Sequence, residues 1–400
     1  MATLSERIKQ FALNQGYAKA GVAPAQDFSE WVEEIRRRGA DKYSFLTMND
    51  PAFFELPLIK KKRPEARSII SLVWDYTQTA FPQELLKHFG RIYLARCYTA
   101  PPGHINGARL ALVKKFLTDN GCNIISDVFV PERLAGSKAG VVSYGRNSFA
   151  YADGIGSFVM VNALVVDQEL DYDQPSLECQ CPPNCARCME ACPTGAIYEP
   201  FRVDPRRCLA CNTFFNNRKI PGMSDYTPQD IRERLGQRVH GCDICQEVCP
   251  RNQGRLKMKL TKDKFLTDLA GHFSLNETLA MDSDYYETSV RPVTYNYIKN
   301  PAYLQRNAAV ALGNSGDPAS AVPHLRQALS NQQAFVRGHA AWALGKLGGE
   351  QALTALCEHA QREDDPQALR ETESAMARIR HRPFYDVNGE ASSSDERASR

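Results

Sequence analysis

The 400-residue sequence predicts an α+β protein that consists of a mixed α/β domain, a cysteine-rich domain and a domain of helical repeats. Three observations predict this fold class. Apolar runs typical of strands alternate with helix-length patterns up to about residue 170. Ten of the 13 cysteines lie between Cys179 and Cys249. Beyond residue 300, an Ala- and Leu-rich pattern recurs.

The N-terminal region carries the patterns of both strands and helices. Three apolar segments rich in β-branched residues predict strands: residues 67–76, 123–130 and 156–167. Residues 107–121 follow a helical pattern, and so do the first residues, where Leu4 and Ile8 share one apolar face. We therefore expect residues 1–170 to form one mixed α/β domain with room for a sizeable cofactor.

The sequence is close to neutral overall, so the protein is not a strongly basic one that binds nucleic acid with its whole surface. There are 49 Lys plus Arg against 46 Asp plus Glu, which gives a formal charge of +3. A polyanionic partner must therefore meet a local patch. Three basic runs are candidates for phosphate contacts, or are simply solvated surface: residues 36–38, 59–63 and 205–207.

No membrane span is expected from the sequence. The longest apolar run, residues 155–166, is interrupted by Gly156, Ser157 and Asn162 and is shorter than the roughly 20 residues that a spanning helix needs. We expect a cytoplasmic protein, in which thiols stay reduced. A dense group of cysteines then indicates metal or redox chemistry more than disulfides.

The C-terminal region has a repeated pattern. The segment 306–316 recurs as 337–348, and a fainter copy covers 369–379. Each copy has small Ala residues, which suit closely packed helices, and the first two end in Gly, which suits a helix end. The pattern resembles HEAT-like repeats over 301–380, which would form either a structural cap or a docking surface for a macromolecule. A connecting segment is expected over 256–300, and a disordered tail over 381–400.

The strongest signal is a doubled CxxCxxxCP motif in the domain expected over 171–255. Its first copy spans residues 185–193 and its second spans 242–250. The same spacing occurs in bacterial ferredoxins with two [4Fe–4S] clusters, in which the Cys before Pro ligates the other cluster. The sequence therefore predicts a two-cluster ferredoxin-like domain. Two CxxC pairs can also bind zinc, which is the competing interpretation.

The motif predicts how the clusters share their ligands. From the two copies, the first cluster takes Cys185, Cys188 and Cys249, and the second takes Cys192, Cys242 and Cys245. Each cluster needs a fourth thiolate. Cys208 is the candidate for the second cluster, and Cys181 or Cys179 for the first, with Cys181 favoured because it is nearer. Cys211 is interpreted as a spare buried thiol.

The order of segments resembles the epoxyqueuosine reductase family, whose cobalamin-binding module is related to that of reductive dehalogenases. The resemblance rests on Asn49–Pro51, on residues 63–76, 132–148 and 156–167, on the doubled cysteine motif and on the HEAT-like repeats. It implies an enzyme that removes the epoxide oxygen of epoxyqueuosine in tRNA. Its cofactors would be two [4Fe–4S] clusters and cobalamin, and its partners tRNA and an electron-donor protein.

The resemblance also implies site residues. It points to Asp127 as the proton donor, although the family position itself falls on Ser126. Four residues resemble positions that contact the cofactor: Tyr144, Arg146, Asn147 and Ser157. Two family stretches differ here, the one expected near residues 93–104 and the one that reads GVVSYGRN at 140–147.

Two other functions are compatible with these patterns. One is a related corrinoid reductase that acts on a small molecule, which the altered pocket residues favour. The other is a ferredoxin-like electron carrier whose flanking domains bind partner proteins, which requires that the chain bind no corrinoid.

Overall fold

The computed structural model describes residues 2–39, 54–98, 105–176, 178–214, 223–294 and 298–381. The Asn49–Pro51 motif, residues 99–104 of the altered stretch, and residues 382–400 of the predicted tail lie outside these ranges. The described residues form two compact units. One lies within 1–224, 240–272 and 288–299, and the other within 225–239, 273–287 and 300–400.

The first unit is built on an antiparallel four-stranded sheet. Its strands are β1 (Lys19–Pro24), β2 (Ser68–Asp75), β3 (Ile124–Ile125) and β6 (Val159–Val166), in the order β1-β2-β6-β3. Two short hairpins complete the strands: β4 (Ser143–Tyr144) with β5 (Ala150–Tyr151), and β7 (Ile197–Glu199) with β8 (Arg202–Val203). Of the strand predicted over residues 123–130, only Ile124 and Ile125 pair in the sheet.

Strand β2 is the centre of this sheet, and all eight of its residues are buried. Its Ile70 pairs with Val22 of β1 and with Leu164 of β6. Because both faces of the strand are covered, its sequence is a nearly continuous apolar run instead of an alternating one.

Helices cover both faces of the sheet. On one face, α1 (Leu4–Asn14) packs with α6 (Ile105–Asp119), and the rings of Phe11 and Phe116 stack with centroids 4.2 Å apart. A capping box formed by Thr3 and Glu6 starts α1. The other face packs against α7 (Glu132–Lys138), whose Ala135 belongs to its core.

Short helices connect these elements and support the cysteine loops. They are α2 (Ser29–Gly39), α3 (Ile59–Lys62), α4 (Gln83–Leu86), α5 (Arg91–Leu94), α8 (Arg187–Glu190), α9 (Leu209–Phe214), α11 (Ile244–Glu247), α12 (Gln253–Leu256) and α13 (Lys264–His272). A 3₁₀ turn at Pro250–Asn252 follows the second cysteine motif.

The second unit is helical. Its helices are α10 (Gln229–Arg234), α14 (Leu275–Ala280), α15 (Ser283–Tyr285), α16 (Ala302–Gly313), α17 (Pro318–Ala328), α18 (Ala334–Leu347), α19 (Glu350–Ala360) and α20 (Pro366–Arg380). The three predicted repeat segments fall on α16, α18 and α20. A Cβ on Gly345 would lie 2.5 Å from the Cβ of Ala375, so small residues do allow the close helix approach that the repeat pattern implied.

Residues 225–239 belong to this helical unit, although they lie between the two cysteine motifs in the sequence. The guanidinium of Arg232 donates two hydrogen bonds to Glu371, at 2.6 and 2.7 Å. Asn307 donates to the carbonyl of Val239 at 2.8 Å. The domain boundaries predicted from the sequence do not assign residues 225–239 to the helical domain, and they stay predictions.

Among the described residues, the structure contains no helix with the length and hydropathy that a membrane span requires.

Replacing Ile70 with alanine tests the central role of β2. The Ile70 side chain is fully buried, so Ile70→Ala is expected to destabilise the protein by about 2–5 kcal/mol through lost apolar contact and a cavity. Urea unfolding of the anaerobic protein measures this loss. Leu112→Ala is the control, because Leu112 is 48% exposed. Equal unfolding midpoints of the two variants would contradict the assignment of β2 to the core.

Candidate functional site

Four cysteines line one cavity. Cys185 and Cys188 come from the first motif, Cys249 comes from the second, and Cys181 precedes the first motif. The cavity is partly open to solvent. Cys179 is exposed and is not among its lining residues. These four thiols are the set that the sequence predicted for the first cluster, with Cys181 in the position that had been left open.

Local backbone structure presents these sulfur atoms. Cys188 lies in the single turn of α8, and Cys249 follows α11 and precedes Pro250. Both residues are only 8% exposed. Burial raises the pKa of the Cys188 thiol, and repulsion from Cys185 and Cys249 raises it further. Thiols held this close ionise together only when a cation compensates their charge, which fits a metal cluster.

Cysteines of the second set also lie near one another. The pKa of Cys245 is raised well above its usual value, mainly by burial and then by the charges of Cys242 and Cys208. Cys192 comes from the other motif, and its sulfur accepts a hydrogen bond from the backbone of Ala196 at 3.2 Å. The eight-cysteine ligand set predicted from the sequence stays a proposal.

Cys211 is not an isolated thiol. It hydrogen-bonds to Cys208, and this bond is the main cause that lowers the pKa of Cys208 to about 7. The pKa of Cys211 itself is raised. The lowered pKa favours the thiolate form of Cys208, which is the form that binds iron.

Zinc and a [4Fe–4S] cluster require different arrangements of four thiolates. A zinc site brings the four thiolates to within about 2.3 Å of a single ion. In a [4Fe–4S] cluster each thiolate binds a different iron, so the sulfur atoms lie farther apart. Among the described residues, no group of three or more His, Cys, Asp or Glu side chains is arranged to hold a single metal ion.

Arg146 and Asn147 contact the cysteine loops. The backbone N–H of Arg146 donates to the sulfur of Cys181 at 3.4 Å, and its side chain donates to the carbonyl of Cys185 at 2.8 Å. Asn147 donates to the carbonyl of Cys245 at 3.3 Å. The sequence-based reasoning did not anticipate these roles, because the partners lie 35 to 98 residues away.

Ser157 belongs to a buried polar network with the second motif. Its hydroxyl donates to Gln246 and accepts from Asn252, both at 2.8 Å. Gly156 has φ +90°, and a Cβ there would lie 2.1 Å from the amide oxygen of Asn252. The glycine at the end of the GIG sequence thus permits close packing of two loops. Contact of Arg146, Asn147 and Ser157 with cobalamin remains a prediction.

A second polar cluster, which we call the polar wall, consists of Asn106, Glu132, Arg133, Ser148 and Asn162. Asn106 donates to Asn162 at 2.8 Å, and Asn162 hydrogen-bonds to Glu132. Desolvation raises the pKa of Glu132 to about 7. Arg133 donates to the carbonyl of Ser148 at 2.7 Å.

Two buried atoms of the polar wall have no hydrogen-bond partner within the described residues. They are the amide oxygen of Asn106 and the hydroxyl of Ser148. Buried polar groups are normally paired, so these two atoms leave hydrogen-bonding positions that a polar ligand or water can fill. Tyr144, the fourth predicted cofactor residue, lies within electrostatic reach of Arg133. The polar wall therefore fits a large ligand with amide groups, as cobalamin is.

Asp127 has a different environment. Its side chain is 50% exposed, and its carboxylate lies 3.5 Å from Arg63 and 3.8 Å from Lys62. A proton donor with a raised pKa needs a buried carboxylic acid, and the exposed, ion-paired carboxylate of Asp127 lacks that burial. Glu132, which the sequence analysis did not single out, has the raised pKa that the argument requires.

The basic runs are largely paired with local groups. Arg37 and Arg38 both contact Glu34, Lys61 contacts Glu55, and Arg206 contacts Asp204. Such pairing reduces the positive charge that these runs offer to phosphates.

Comparison with known proteins agrees with this architecture. Residues 180–252 match the family of 4Fe-4S double cluster binding domains, and residues 296–377 match the family of HEAT repeats. The chain is therefore an iron–sulfur protein with two [4Fe–4S] clusters and helical repeats.

Whole-chain relatives define the family. The epoxyqueuosine reductase of Escherichia coli is 32% identical over 86% of this chain and 89% of its own length. That of Bacillus anthracis is 27% identical over 92% and 96%, respectively. The chain belongs to the epoxyqueuosine reductase family. A crystal structure of an epoxyqueuosine reductase with a modified tRNA stem loop has the same fold, with a TM-score of 0.79 at 24% identity over 94% of this chain and 99% of the other.

The choice between Cys181 and Cys179 can be tested by iron analysis. Because Cys181 lines the cavity, Cys181→Ser is expected to lose the first cluster and to retain about four irons per chain instead of about eight. The matched variant Cys179→Ser is expected to retain about eight. Iron and sulfide are measured on anaerobically purified protein. The reverse pattern would assign the ligand role to Cys179.

Proposed function

We propose that the protein reduces epoxyqueuosine to queuosine in tRNA, as an oxidoreductase with two [4Fe–4S] clusters and cobalamin. The main support for this proposal is that the cluster cysteines and the α/β domain belong to one compact unit. In addition, relatives named epoxyqueuosine reductase align with most of the chain. The reaction takes up two electrons and two protons and releases the epoxide oxygen as water. The protein is proposed to act in the cytoplasm.

Cys181, Cys185, Cys188 and Cys249 would hold the first cluster, and Cys192, Cys208, Cys242 and Cys245 would hold the second. When bound, the clusters would supply electrons one at a time from an electron-donor protein. The polar wall and Tyr144 would hold cobalamin, which would supply a strongly reducing cobalt centre. The protein would orient the substrate and deliver the protons.

Two carboxyl groups compete for the role of proton donor. The family resemblance points to Asp127, and the raised pKa points to Glu132. A carboxyl group with a pKa near 7 is half protonated at neutral pH, which suits a general acid.

The two candidates predict different pH profiles. If Glu132 is the donor, kcat is high below about pH 7 and falls as the pH rises through 7, because the carboxyl group loses its proton. Glu132→Gln should then lower kcat by about 100-fold or more with KM retained, while Asp127→Asn should keep the profile of the parent protein. A loss of kcat confined to Asp127→Asn would assign the donor role to Asp127.

The proposed activity is tested directly with its substrate. Cluster-replete, cobalamin-loaded protein is given epoxyqueuosine-containing tRNA and a low-potential reductant, and nucleosides from the digested tRNA are analysed by mass spectrometry. We expect queuosine to form. Omission of cobalamin provides the control, and absence of product from the fully loaded protein would reject the proposal.

A small-molecule reductase remains the second candidate, and the local pairing of the basic runs favours it. The same assay separates the two, because a small-molecule enzyme would reduce the free epoxyqueuosine nucleoside, or an organohalide, as readily as the modified tRNA. A protein that binds both clusters but takes up no corrinoid would instead be an electron carrier.

A further inference from the structure

A tyrosine hydroxyl contacts one of the cavity-lining cysteines. The hydroxyl of Tyr151 lies 3.2 Å from the sulfur of Cys249. Tyr151 is 1% exposed and Cys249 is 8% exposed, so water does not compete for this bond. A phenol normally titrates near pH 10, so it can donate a hydrogen bond at neutral pH.

The side chain of Asn147 fixes the direction of this hydrogen bond. Its amide oxygen accepts from the N–H of Phe149 at 3.3 Å, so its amide nitrogen must face the other way. That nitrogen donates to the Tyr151 hydroxyl at 2.9 Å and to the carbonyl of Cys245 at 3.3 Å. The phenol oxygen accepts from Asn147 and also lies within hydrogen-bond reach of Ser157, whose hydroxyl already donates to Gln246 and accepts from Asn252. As a cluster ligand the sulfur of Cys249 would be a thiolate, and a negatively charged acceptor attracts the phenol proton more strongly than a neutral hydroxyl does.

The Tyr151 ring is held in place on several sides. Its strand β5 pairs with β4, with Ser143 opposite Tyr151. Gly145 leaves room for the ring, since a Cβ there would lie 2.3 Å from it. The guanidinium of Arg251 lies 4.3 Å from the ring centroid, and its positive charge makes the phenol a stronger donor.

We propose that Tyr151, oriented by Asn147, raises the reduction potential of the first cluster by donating a hydrogen bond to Cys249. The inference rests on the proposed assignment of Cys249 to that cluster. Reduction adds one electron to the cluster, and part of the added negative charge spreads onto the thiolate sulfurs. A donor aimed at one of these sulfurs stabilises the reduced form more than the oxidised form.

The experiment is an anaerobic redox titration of the full-length holoprotein, followed by electron paramagnetic resonance. In Tyr151→Phe, the ring is kept and only the hydroxyl is lost. The equilibrium constant for reduction of the first cluster should fall about tenfold, which moves its midpoint potential by about 59 mV to a more negative value. The second cluster should keep its potential. The signal of the first cluster is identified as the one lost in Cys181→Ser.

Two further variants distinguish hydrogen bonding by Tyr151 from a general structural effect of the substitution. Tyr198→Phe is the matched control, because Tyr198 lies in β7 of the cluster region and its hydroxyl bonds to Arg202. This variant should leave both potentials unchanged. Replacing Tyr151 with 3-fluorotyrosine makes the phenol a stronger donor, so the potential of the first cluster should move in the positive direction, opposite to that of Tyr151→Phe.

An exchangeable proton provides an independent readout. Electron–nuclear double resonance of the reduced first cluster in D₂O should show a deuteron coupling that Tyr151→Phe lacks. Unchanged potentials in Tyr151→Phe, or a shift in the second cluster instead, would overturn the proposal. Because these measurements need no substrate, they do not depend on the outcome of the epoxyqueuosine assay.

Discussion

The exchange of one cysteine between two loops is the constraint on which the rest of the site depends. Cys249 belongs to the second motif but lines the cavity of Cys181, Cys185 and Cys188. The preceding helix ends at Glu247, Cys249 has an extended backbone, and Pro250 begins a 3₁₀ turn, so the chain changes direction at this point. The two motifs therefore lie close together at Cys249. In the proposed ligand assignment, in which Cys192 also contributes to the second cluster, neither motif forms its cluster without the other.

The same constraint brings the α/β domain to the clusters. The residues that follow Cys249 turn back onto the sheet, where Asn252 bonds to Ser157 and Gly156 allows the close approach. Farther along, Arg255 forms an ion pair with Asp75 at the end of β2. Buried pairs of this kind are costly to break, because removing one partner leaves an uncompensated charge. The cluster loops are thus fixed to the sheet that carries the polar wall.

Much of this architecture was predictable from the sequence because it follows from local patterns. The central strand β2 is an unbroken apolar run, the repeats are visible as recurring Ala-rich segments, and the CxxCxxxCP spacing is imposed by the geometry of the cluster. The fold class, the family and the clusters were confirmed. The choice of Cys181 over Cys179 agrees with the cavity but stays a proposal.

The remaining features depend on contacts between residues far apart in the sequence. Nothing in the sequence GVVSYGRN shows that Arg146 and Asn147 bond to cysteine loops, or that residues 225–239 pack with the repeats. The raised pKa of Glu132 arises from desolvation, which outweighs the lowering effect of the hydrogen bond with Asn162 on a neighbouring strand. The role proposed for the Tyr151 hydroxyl depends on its contact with the sulfur of Cys249, which is 98 residues away in the sequence.

The most direct test of the central claim is the metal content and spectroscopy of oxygen-protected protein. The account predicts about eight irons and eight sulfides per chain, and two magnetically interacting [4Fe–4S] signals after reduction. Replacement of Cys249 alone should disturb the cluster whose other ligands come from the first motif, and should leave the remaining cluster in place. Zinc in place of iron, or loss of the cluster formed by Cys242 and Cys245, would contradict the exchange of ligands between the two loops.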